Sequence, residues 1–380
     1  MARHKRLLVV VRWPLGGIRT YMRHVYGRLD KDWSVTILAS SAQECGALDV
    51  DAREIGAELI MSNGPGNMSL FFSIVTLLWK RKFDLIQSQG FISAILAAVA
   101  NLPFRIPHIL TVHGVLETRL LKSFKGRMNL AVTKLTIRSM DVVYCVGKDI
   151  MSYLKDNVSG LNGAKPRVIA IQNGIETTHF SGIQSGLNFR KKNQFSDGLF
   201  LFGFLGRYMP QKGFDILIDA VVQLEAEHST RDFKIVAMGN GDYQGWYMRT
   251  VKEKKIEHRF CFLPFQREME SVYGALDAVV MPSRWEAYPL VAAETLCSGI
   301  PLIASGCIGL REAVDNTPAL VVPPEDSSAL ADAMLRVMSV DNRPIFDAYR
   351  KQALDRYDVR HTVSQVEKLF DDTTRTDKQG

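Results

Sequence analysis

Short, continuously apolar segments recur along the whole chain, and they constrain the fold more than any other feature. Examples are "RLLVVVR", "PHILTV", "LFLFGFL" and "DAVVM". The stretches between most of these segments have the spacing of amphipathic helices. Strands that are apolar on both faces are typical of a parallel sheet covered by helices on both sides, because the connecting helices provide the crossovers. The sequence therefore predicts an α/β architecture that occurs twice.

A polar segment without a clear period, "SGIQSGLNFRKKNQFSDG", separates the two sets of predicted strands. A chain of 380 residues is also long enough for two domains. We expect an N-terminal domain over residues 1–185, a second domain over 195–355, and a C-terminal helix and tail over 356–380. The residues from Asp371 onward are expected to fray. One apolar face of the C-terminal helix is predicted to contain Val359, Val363, Val366 and Phe370.

Composition narrows the class of protein. The five cysteines form no C-x-x-C pair and no cluster with histidine, so neither a disulfide framework nor a zinc site is indicated, and a reducing, cytoplasmic compartment is expected. The apolar stretches over residues 68–79 and 91–100 are too short to span a bilayer and are interpreted as buried helices. The charge is uneven: residues 1–180 carry a net +10 and the remainder −3. An anionic surface or substrate is therefore expected for the first half.

Ligands of open α/β sheets bind where strands end and helices begin, and two motifs of the first half occupy such positions. Gly16 and Gly17 follow the first predicted strand, where they allow an anion to approach a helix N-terminus or simply form a tight turn. His113 ends the strand "PHILTV", and a histidine at this place is either a structural side chain or part of a ligand site.

The second half has two further motifs of this kind. "GRYMPQKG" places Arg207 and Lys212 in one loop, where they form either a clamp for a diphosphate or a solvated basic loop. "EAYPLVAAE" places Glu286 before a helix predicted over residues 289–298 and Glu294 within it. The spacing alone does not decide whether these carboxylates are an acid/base pair or groups that hold hydroxyls.

Together, these motifs resemble those of the retaining glycosyltransferases of family 4. "GG", "TVHG", "IQNGIETTHF", "GRYMPQKG", the E-x7-E pair and "GIPLIAS" occur in the family's order and cover most of the chain. The resemblance implies the GT-B fold, in which two Rossmann-like domains with parallel sheets face each other across a cleft and the C-terminal helix returns to the N-terminal domain. It also implies a nucleotide-diphosphate sugar as donor and a glycan or lipid-linked acceptor, with no cofactor, no metal ion and no nucleic-acid partner.

Residue roles follow from the same resemblance. Arg207 and Lys212 would neutralise the leaving diphosphate, Glu286 would hold hydroxyls of the donor sugar, and Glu294 would hold the ribose. His113 would lie near the reacting carbon. Gly16 and Gly17 would lie close to the phosphates, and the phosphate site would be completed by backbone N–H groups of Tyr288 and Leu290. Gln89 departs from the pattern because histidine is frequent there.

Three alternatives remain open at the level of sequence. An oxidoreductase with Rossmann domains is disfavoured because no G-x-G-x-x-G follows the first strand. A GT-B epimerase or phosphorylase, and a catalytically silent scaffold of the same fold, are compatible with the fold. For the acceptor, the basic segment "LETRLLKSFKGRMNL" predicts an amphipathic helix with Leu116, Leu120, Phe124 and Met128 on one stripe. This pattern is typical either of an ordinary core-facing helix with solvated charges or of a helix on a membrane surface. The net charge of +10 in this half, and the resemblance to enzymes that often glycosylate lipid-linked acceptors, lead us to expect peripheral contact with an anionic membrane.

Overall fold

The computed structural model describes residues 4–41, 45–116, 123–180, 186–226, 232–266 and 269–376. The chain forms two compact units, one made of Met1–Gly174 with Val359–Gly380 and the other of Ile175–Asp358. Residues 175–180 therefore belong to the second unit, whereas the predicted boundary lay between residues 185 and 195. Their packing there includes a hydrogen bond of 2.6 Å from Arg350 Nη2 to the carbonyl oxygen of Phe180.

The first unit is built on a parallel sheet of seven strands in the order β3-β2-β1-β4-β5-β6-β7. The strands are β1 Lys5–Val11, β2 Trp33–Ala39, β3 Glu58–Met61, β4 Leu85–Gln89, β5 His108–Val112, β6 Val142–Cys145 and β7 Arg167–Ala170. The helices are α1 Gly17–Tyr26, α2 Cys45–Glu54, α3 Asn67–Lys80, α4 Phe91–Asn101, α5 Phe124–Arg138, α6 Lys148–Asn157 and α15 Val359–Thr376.

The second unit has a parallel sheet of six strands in the order β10-β9-β8-β11-β12-β13. The strands are β8 Phe200–Leu205, β9 Phe233–Met238, β10 Phe260–Leu263, β11 Ala278–Met281, β12 Leu302–Ser305 and β13 Leu320–Val322. The helices are α7 Leu187–Lys192, α8 Phe214–Ala226, α9 Gln244–Glu253, α10 Glu270–Ala275, α11 Leu290–Cys297, α12 Leu310–Val314, α13 Ser327–Ser339 and α14 Arg343–Arg356.

The predicted doubling of the α/β architecture is confirmed, and every apolar segment read as a strand contains one. Leu7 to Val11 of β1 are fully buried, as expected for a central strand covered on both faces. The sequence interpretation missed β3, whose segment "ELIM" is short and only partly buried at the edge of its sheet. In each sheet the strand order reverses once, between β1 and β4 and between β8 and β11, and ligands of such sheets bind at this switch point.

The C-terminal helix packs on the first unit, as predicted. The ring of Phe370 lies 5.4 Å from that of Trp33, and Lys5 Nζ donates to Asp371 Oδ1 at 2.5 Å. The expected fraying from Asp371 is wrong, because this ion pair and the burial of Thr373 continue the helix to Thr376.

Two further expectations about helices are corrected. The stretches 68–79 and 91–100 do form helices, α3 and α4, but these are not fully buried, since Phe72 is 59% and Trp79 74% exposed. The basic amphipathic segment is not one continuous helix from Leu116: that residue is buried outside any helix, and α5 begins at Phe124. Residues 117–122, with Leu120, lie outside the described residues.

Candidate active site

The loop after β8 fixes Lys212 at the carboxyl edge of the second sheet. Pro210–Lys212 form a single 3₁₀ turn that ends at Gly213 in the left-handed conformation, with φ 66°. A Cβ atom at Gly213 would lie 2.0 Å from the carbonyl oxygen of Pro282, so only glycine fits between this loop and the end of β11. Arg207 lies in the same loop and is half-buried.

Lys212 and Glu286 are in direct contact. Lys212 Nζ donates to both carboxylate oxygens of Glu286, at 2.7 and 2.9 Å, and Ser283 Oγ donates to Oε1 at 2.7 Å. Glu286 is only 4% exposed. A buried ion pair is stable only when hydrogen bonds satisfy both partners, and these three bonds fix the orientation of the carboxylate. The ammonium group has three N–H donors, so one remains for a further anion.

Arg284 joins the two loops that carry this pair, and sequence reasoning missed it. Its guanidinium donates to both oxygens of Asp215, at 2.9 and 2.6 Å, to Glu325 Oε1 at 2.7 Å and to the carbonyl oxygen of Pro210 at 2.6 Å. Burial raises the pKa of Asp215, but the hydrogen bonds and charge of Arg284 outweigh it and hold that pKa below its usual value. Arg284 therefore fixes the loop before Lys212 against the loop before Glu286.

Glu294 lies on α11, which begins at Leu290, one residue later than predicted, because Pro289 occupies the N-cap. Tyr273 is buried and donates its hydroxyl to Glu294 Oε2 at 2.7 Å. Sequence reasoning also missed Tyr273, which no motif marks. Tyr288 is buried, and the first N–H groups of α11, including that of Leu290, have no partner within the helix and so favour an anion.

In the first unit, Gly16 and Gly17 form the N-terminus of α1. Gly16 is the N-cap with φ 54°, a conformation that favours glycine. A Cβ atom at Gly17 would meet no atom within 4 Å. Packing therefore does not explain the second glycine, whereas the backbone conformation explains the first.

His113 follows β5 and keeps part of its surface exposed. Its Nε2 lies 2.6 Å from Gln89 Oε1, and its ring meets that of Tyr21 edge-on at 5.3 Å. Burial lowers the pKa of His113 to about 3, so the ring is neutral at physiological pH. Gln89, singled out by the sequence only as a departure, is therefore the immediate partner of His113.

The described residues contain no group of three or more His, Cys, Asp or Glu side chains that could hold a metal ion. Within the same part of the chain, no helix combines the length and apolarity that crossing a bilayer requires.

Known proteins resemble the chain in both units. The family described as glycosyl transferases group 1 matches residues 200–339, and the glycosyl transferase 4-like domain matches residues 16–174. An uncharacterised glycosyltransferase of Methanocaldococcus jannaschii is 26% identical, over 97% of this chain and 98% of its own length.

A second relative is the UDP-Gal:alpha-D-GlcNAc-diphosphoundecaprenol alpha-1,3-galactosyltransferase of Escherichia coli, 22% identical over 80% of each chain. Among solved structures, Anabaena HepE in complex with UDP and glucose superposes with a TM-score of 0.83 at 19% identity, over 97% of this chain and 100% of that one. Since the family patterns match both units and the two parallel sheets are those of the GT-B fold, the chain belongs to the group 1 glycosyltransferases of family 4.

Proposed function

We propose that this protein transfers a sugar from a nucleotide-diphosphate donor to a glycan or lipid-linked acceptor of a cell-surface polysaccharide, with retention of anomeric configuration and without a metal ion. The observation that carries the proposal is the ion pair between Lys212 and the buried carboxylate of Glu286, formed by the loop that also contains Arg207. Two cations within one loop suit a diphosphate, and an oriented carboxylate suits sugar hydroxyls.

In the proposed reaction, the bond between the anomeric carbon and the donor phosphate breaks, and a bond to the acceptor oxygen forms on the same face of the sugar. Negative charge grows on the leaving diphosphate, where Arg207 and the free N–H of Lys212 stabilise it. The acceptor's proton passes to the departing phosphate, so the mechanism needs no protein base.

The clamp is tested by Arg207→Ala and Lys212→Ala. Because both side chains act on charge that develops in the transition state, each variant is expected to lower turnover on the order of 100-fold or more. Arg207→Ala should leave the melting temperature unchanged. Lys212→Ala should also lower it, since Glu286 would then be buried without its cation. Arg249→Ala, an exposed change on α9, is the control. Near-normal turnover of both clamp variants would overturn the proposed mechanism.

A catalytically silent scaffold is the competing function, and donor hydrolysis separates the two. Uridine-diphosphate sugars are the first donors to assay, because the structurally similar Anabaena protein was solved with UDP and glucose. Slow release of UDP by the wild-type protein, abolished in Arg207→Ala and unaffected by EDTA, is expected. Activity that EDTA abolishes and manganese restores would contradict the metal-free mechanism.

The acceptor side is proposed to contact an anionic membrane through three neighbouring helices, α3, α4 and α5. None of them contains an aspartate or glutamate. On α5 the exposed apolar side chains recur at helical spacing, at Phe124 (75%), Met128 (53%), Val132 and Leu135 (66%). Lys125 and Arg127 are exposed beside them, and each basic residue near an anionic leaflet contributes roughly 1 kcal/mol.

Vesicle co-sedimentation at low ionic strength tests this contact. The wild-type protein should pellet with phosphatidylglycerol vesicles and be released by salt, whereas a variant with Phe124, Met128 and Leu135 all changed to Ser should stay in solution. A matched variant with Val340 and Ile345, exposed apolar residues of the second unit, changed to Ser should pellet like the wild type. Equal pelleting of both variants, or none by the wild type, would refute the proposed surface.

A further inference from the structure

A buried network of polar side chains lies between the first sheet and α1 and ends at His113. Gln87 Nε2 donates to Thr111 Oγ1 at 2.8 Å and, at the longer distance of 3.5 Å, to the hydroxyl of Tyr21. The hydroxyl of Tyr26 donates to Gln87 Oε1 at 2.8 Å and accepts from Gln89 Nε2 at 2.5 Å. Gln89 Oε1 then faces His113 Nε2.

The number of amide N–H donors that find an acceptor decides which way the two glutamine amides are oriented. In the arrangement above, both N–H groups of Gln87 and one of Gln89 have acceptors. Exchanging the amide oxygen and nitrogen of both glutamines gives the opposite arrangement. Gln87 would then donate one N–H, to Tyr26, and Gln89 would donate one N–H, to His113. Gln87 is fully buried and Gln89 is 3% exposed, so an unpaired N–H could not reach water. The first arrangement satisfies more donors and is therefore favoured.

We propose that Gln89 is a positioning residue that, through this network, holds His113 protonated on Nε2 and leaves Nδ1 as a hydrogen-bond acceptor for a hydroxyl of the donor sugar. An amide oxygen can only accept, so the imidazole nitrogen opposite it carries the proton. Among the described residues, no hydrogen bond to Nδ1 of His113 is formed. The inference that a sugar hydroxyl donates to Nδ1 rests on the proposed function. The inference about the tautomer of His113 does not.

The groups around the ring favour the neutral state. Burial raises the pKa of Tyr21 to about 12 and that of Tyr26 further above its usual value, so both phenols stay protonated. A neutral ring with a free acceptor distinguishes a hydroxyl, which donates, from a carboxylate, which does not. We therefore expect the sugar group that contacts Nδ1 to be a hydroxyl rather than a carboxylate.

The tautomer is measured directly by ¹⁵N NMR of the intact protein labelled at histidine, with the His113 signals assigned from the spectrum of His113→Asn. In the wild type, Nδ1 should give a pyridine-type shift and Nε2 a pyrrole-type shift, both unchanged from pH 8 to pH 5.5. Gln89→Leu should give a mixture of tautomers. Gln89→Glu, which adds a negative charge beside Nε2, should make His113 titrate within this range.

Two kinetic measurements accompany the spectra. Gln89→Leu should lower kcat/KM for donor hydrolysis on the order of 5-fold, as expected for loss of one neutral hydrogen bond. Gln89→Glu should add an ionisation to the pH profile of kcat/KM. The control Gln352→Leu, a change at an exposed residue, should alter neither kcat/KM nor its pH profile. Should Gln89→Leu not fold, Tyr26→Phe removes the next link in the network and should also mix the tautomers.

A pyridine-type Nε2 in the wild type, or wild-type signals in both Gln89→Leu and Tyr26→Phe, would overturn the proposal whatever the enzyme transfers. The expected tautomer without any sugar transfer would instead leave the positioning role in place and refute the proposed function.

Discussion

At the scale of single residues, two glycines of the candidate-site loops, one in each unit, differ in what surrounds them. A Cβ atom at Gly213 would lie 2.0 Å from a backbone oxygen, in a conformation with φ 66° that favours glycine. A Cβ atom at Gly17 would meet nothing, and this residue begins a helix. The fold therefore requires glycine at position 213, whereas Gly17 leaves open space beside the N-terminus of α1.

We therefore expect Gly17→Ala and Gly213→Ala to have opposite effects. Alanine is the better residue in a helix by up to about 1 kcal/mol, so Gly17→Ala should fold at least as well as the wild type but lose donor affinity. Gly213→Ala should lower the free energy of unfolding, because the loop must shift. Urea unfolding and a nucleotide-binding titration measure the two effects. Wild-type affinity of Gly17→Ala would show that no ligand approaches this glycine.

Tyr273 provides a second test at this scale. The hydroxyl that it donates to Glu294 is removed in Tyr273→Phe while the ring stays. A hydrogen bond to a charged group contributes about 1.5–3 kcal/mol, so the Kd for the nucleotide should rise on the order of 10-fold if this bond orients Glu294 for the ribose. Tyr349→Phe is the control, because the hydroxyl of Tyr349 accepts from Arg356 Nη1 at the long distance of 3.4 Å. Equal nucleotide Kd values for the two variants would argue against the role.

The candidate site could be predicted only in part, because motifs identify residues expected to contact a ligand better than residues that hold those side chains in place. Glu286, Glu294, Arg207 and Lys212 are recognisable from short patterns, although their roles stay predictions. Arg284 contacts a carboxylate 69 positions earlier in the chain and Tyr273 one 21 positions later. Such pairs depend on the packing of separate elements, which local spacing does not encode.

At the scale of elements, β5 begins at one titratable side chain and ends next to another. Burial lowers the pKa of His108 to about 4 and that of His113 to about 3, against an ordinary value of 6.5. His108 is 3% exposed and lies 2.8 Å from the hydroxyl of Ser88. Both rings are therefore neutral in the folded protein at pH values where they bind protons in the unfolded chain.

Stability should consequently fall as the pH drops from 6.5 towards 4. In this range the unfolded state binds more protons, so each histidine reduces the free energy of unfolding by up to about 1.4 kcal/mol per pH unit. Above pH 6.5 the contribution is constant. Urea midpoints at pH 7 and pH 5.5 should differ less in His108→Asn than in the wild type, and by the wild-type amount in His258→Gln, whose side chain is 56% exposed. An unchanged difference in His108→Asn would contradict the assignment.

The elements themselves were largely predictable because apolar runs identify central strands. The failures lie at the periphery: β3 is a partly buried edge strand, and α3 and α4 are apolar without being fully covered. Hydrophobicity alone does not distinguish an apolar helix in a core from one with exposed aromatic side chains. Whether an apolar helix is covered depends on the elements that pack against it. The sequence pattern of α3 would be the same whether or not the helix is covered.

At the scale of the whole molecule, the first unit is discontinuous in sequence. Its sheet is complete by residue 170, but α15 contributes the buried apolar side chains of Val359, Val363, Val366, Leu369 and Phe370. Phe370 packs on Trp33, and Lys5 pairs with Asp371. The return of the helix was predicted from the resemblance to the family, whereas composition and periodicity showed only that its face was apolar.

A chain that ends at Asp358 should therefore have a destabilised first unit and an unperturbed second unit. Burying each large apolar side chain contributes roughly 1.5–3 kcal/mol, so the loss of these side chains removes a free energy comparable to the whole stability of an ordinary domain, about 5–15 kcal/mol. Calorimetry should show the transition of the first unit abolished or moved to a much lower temperature. Removing only residues 377–380 is the matched control and should change nothing. A normal two-unit profile for the chain ending at Asp358 would refute this prediction.

The same discontinuity has a consequence for biosynthesis. When Gly174 leaves the ribosome, the residues that complete its unit have not been made, because they begin at Val359. At synthesis rates of about 5–20 residues per second, roughly 10–40 s pass between the synthesis of Gly174 and that of Phe370, which packs on Trp33. During this time all residues of the second unit, which is continuous in sequence, are synthesised. The unit whose translation begins first is therefore the last to have all of its residues available.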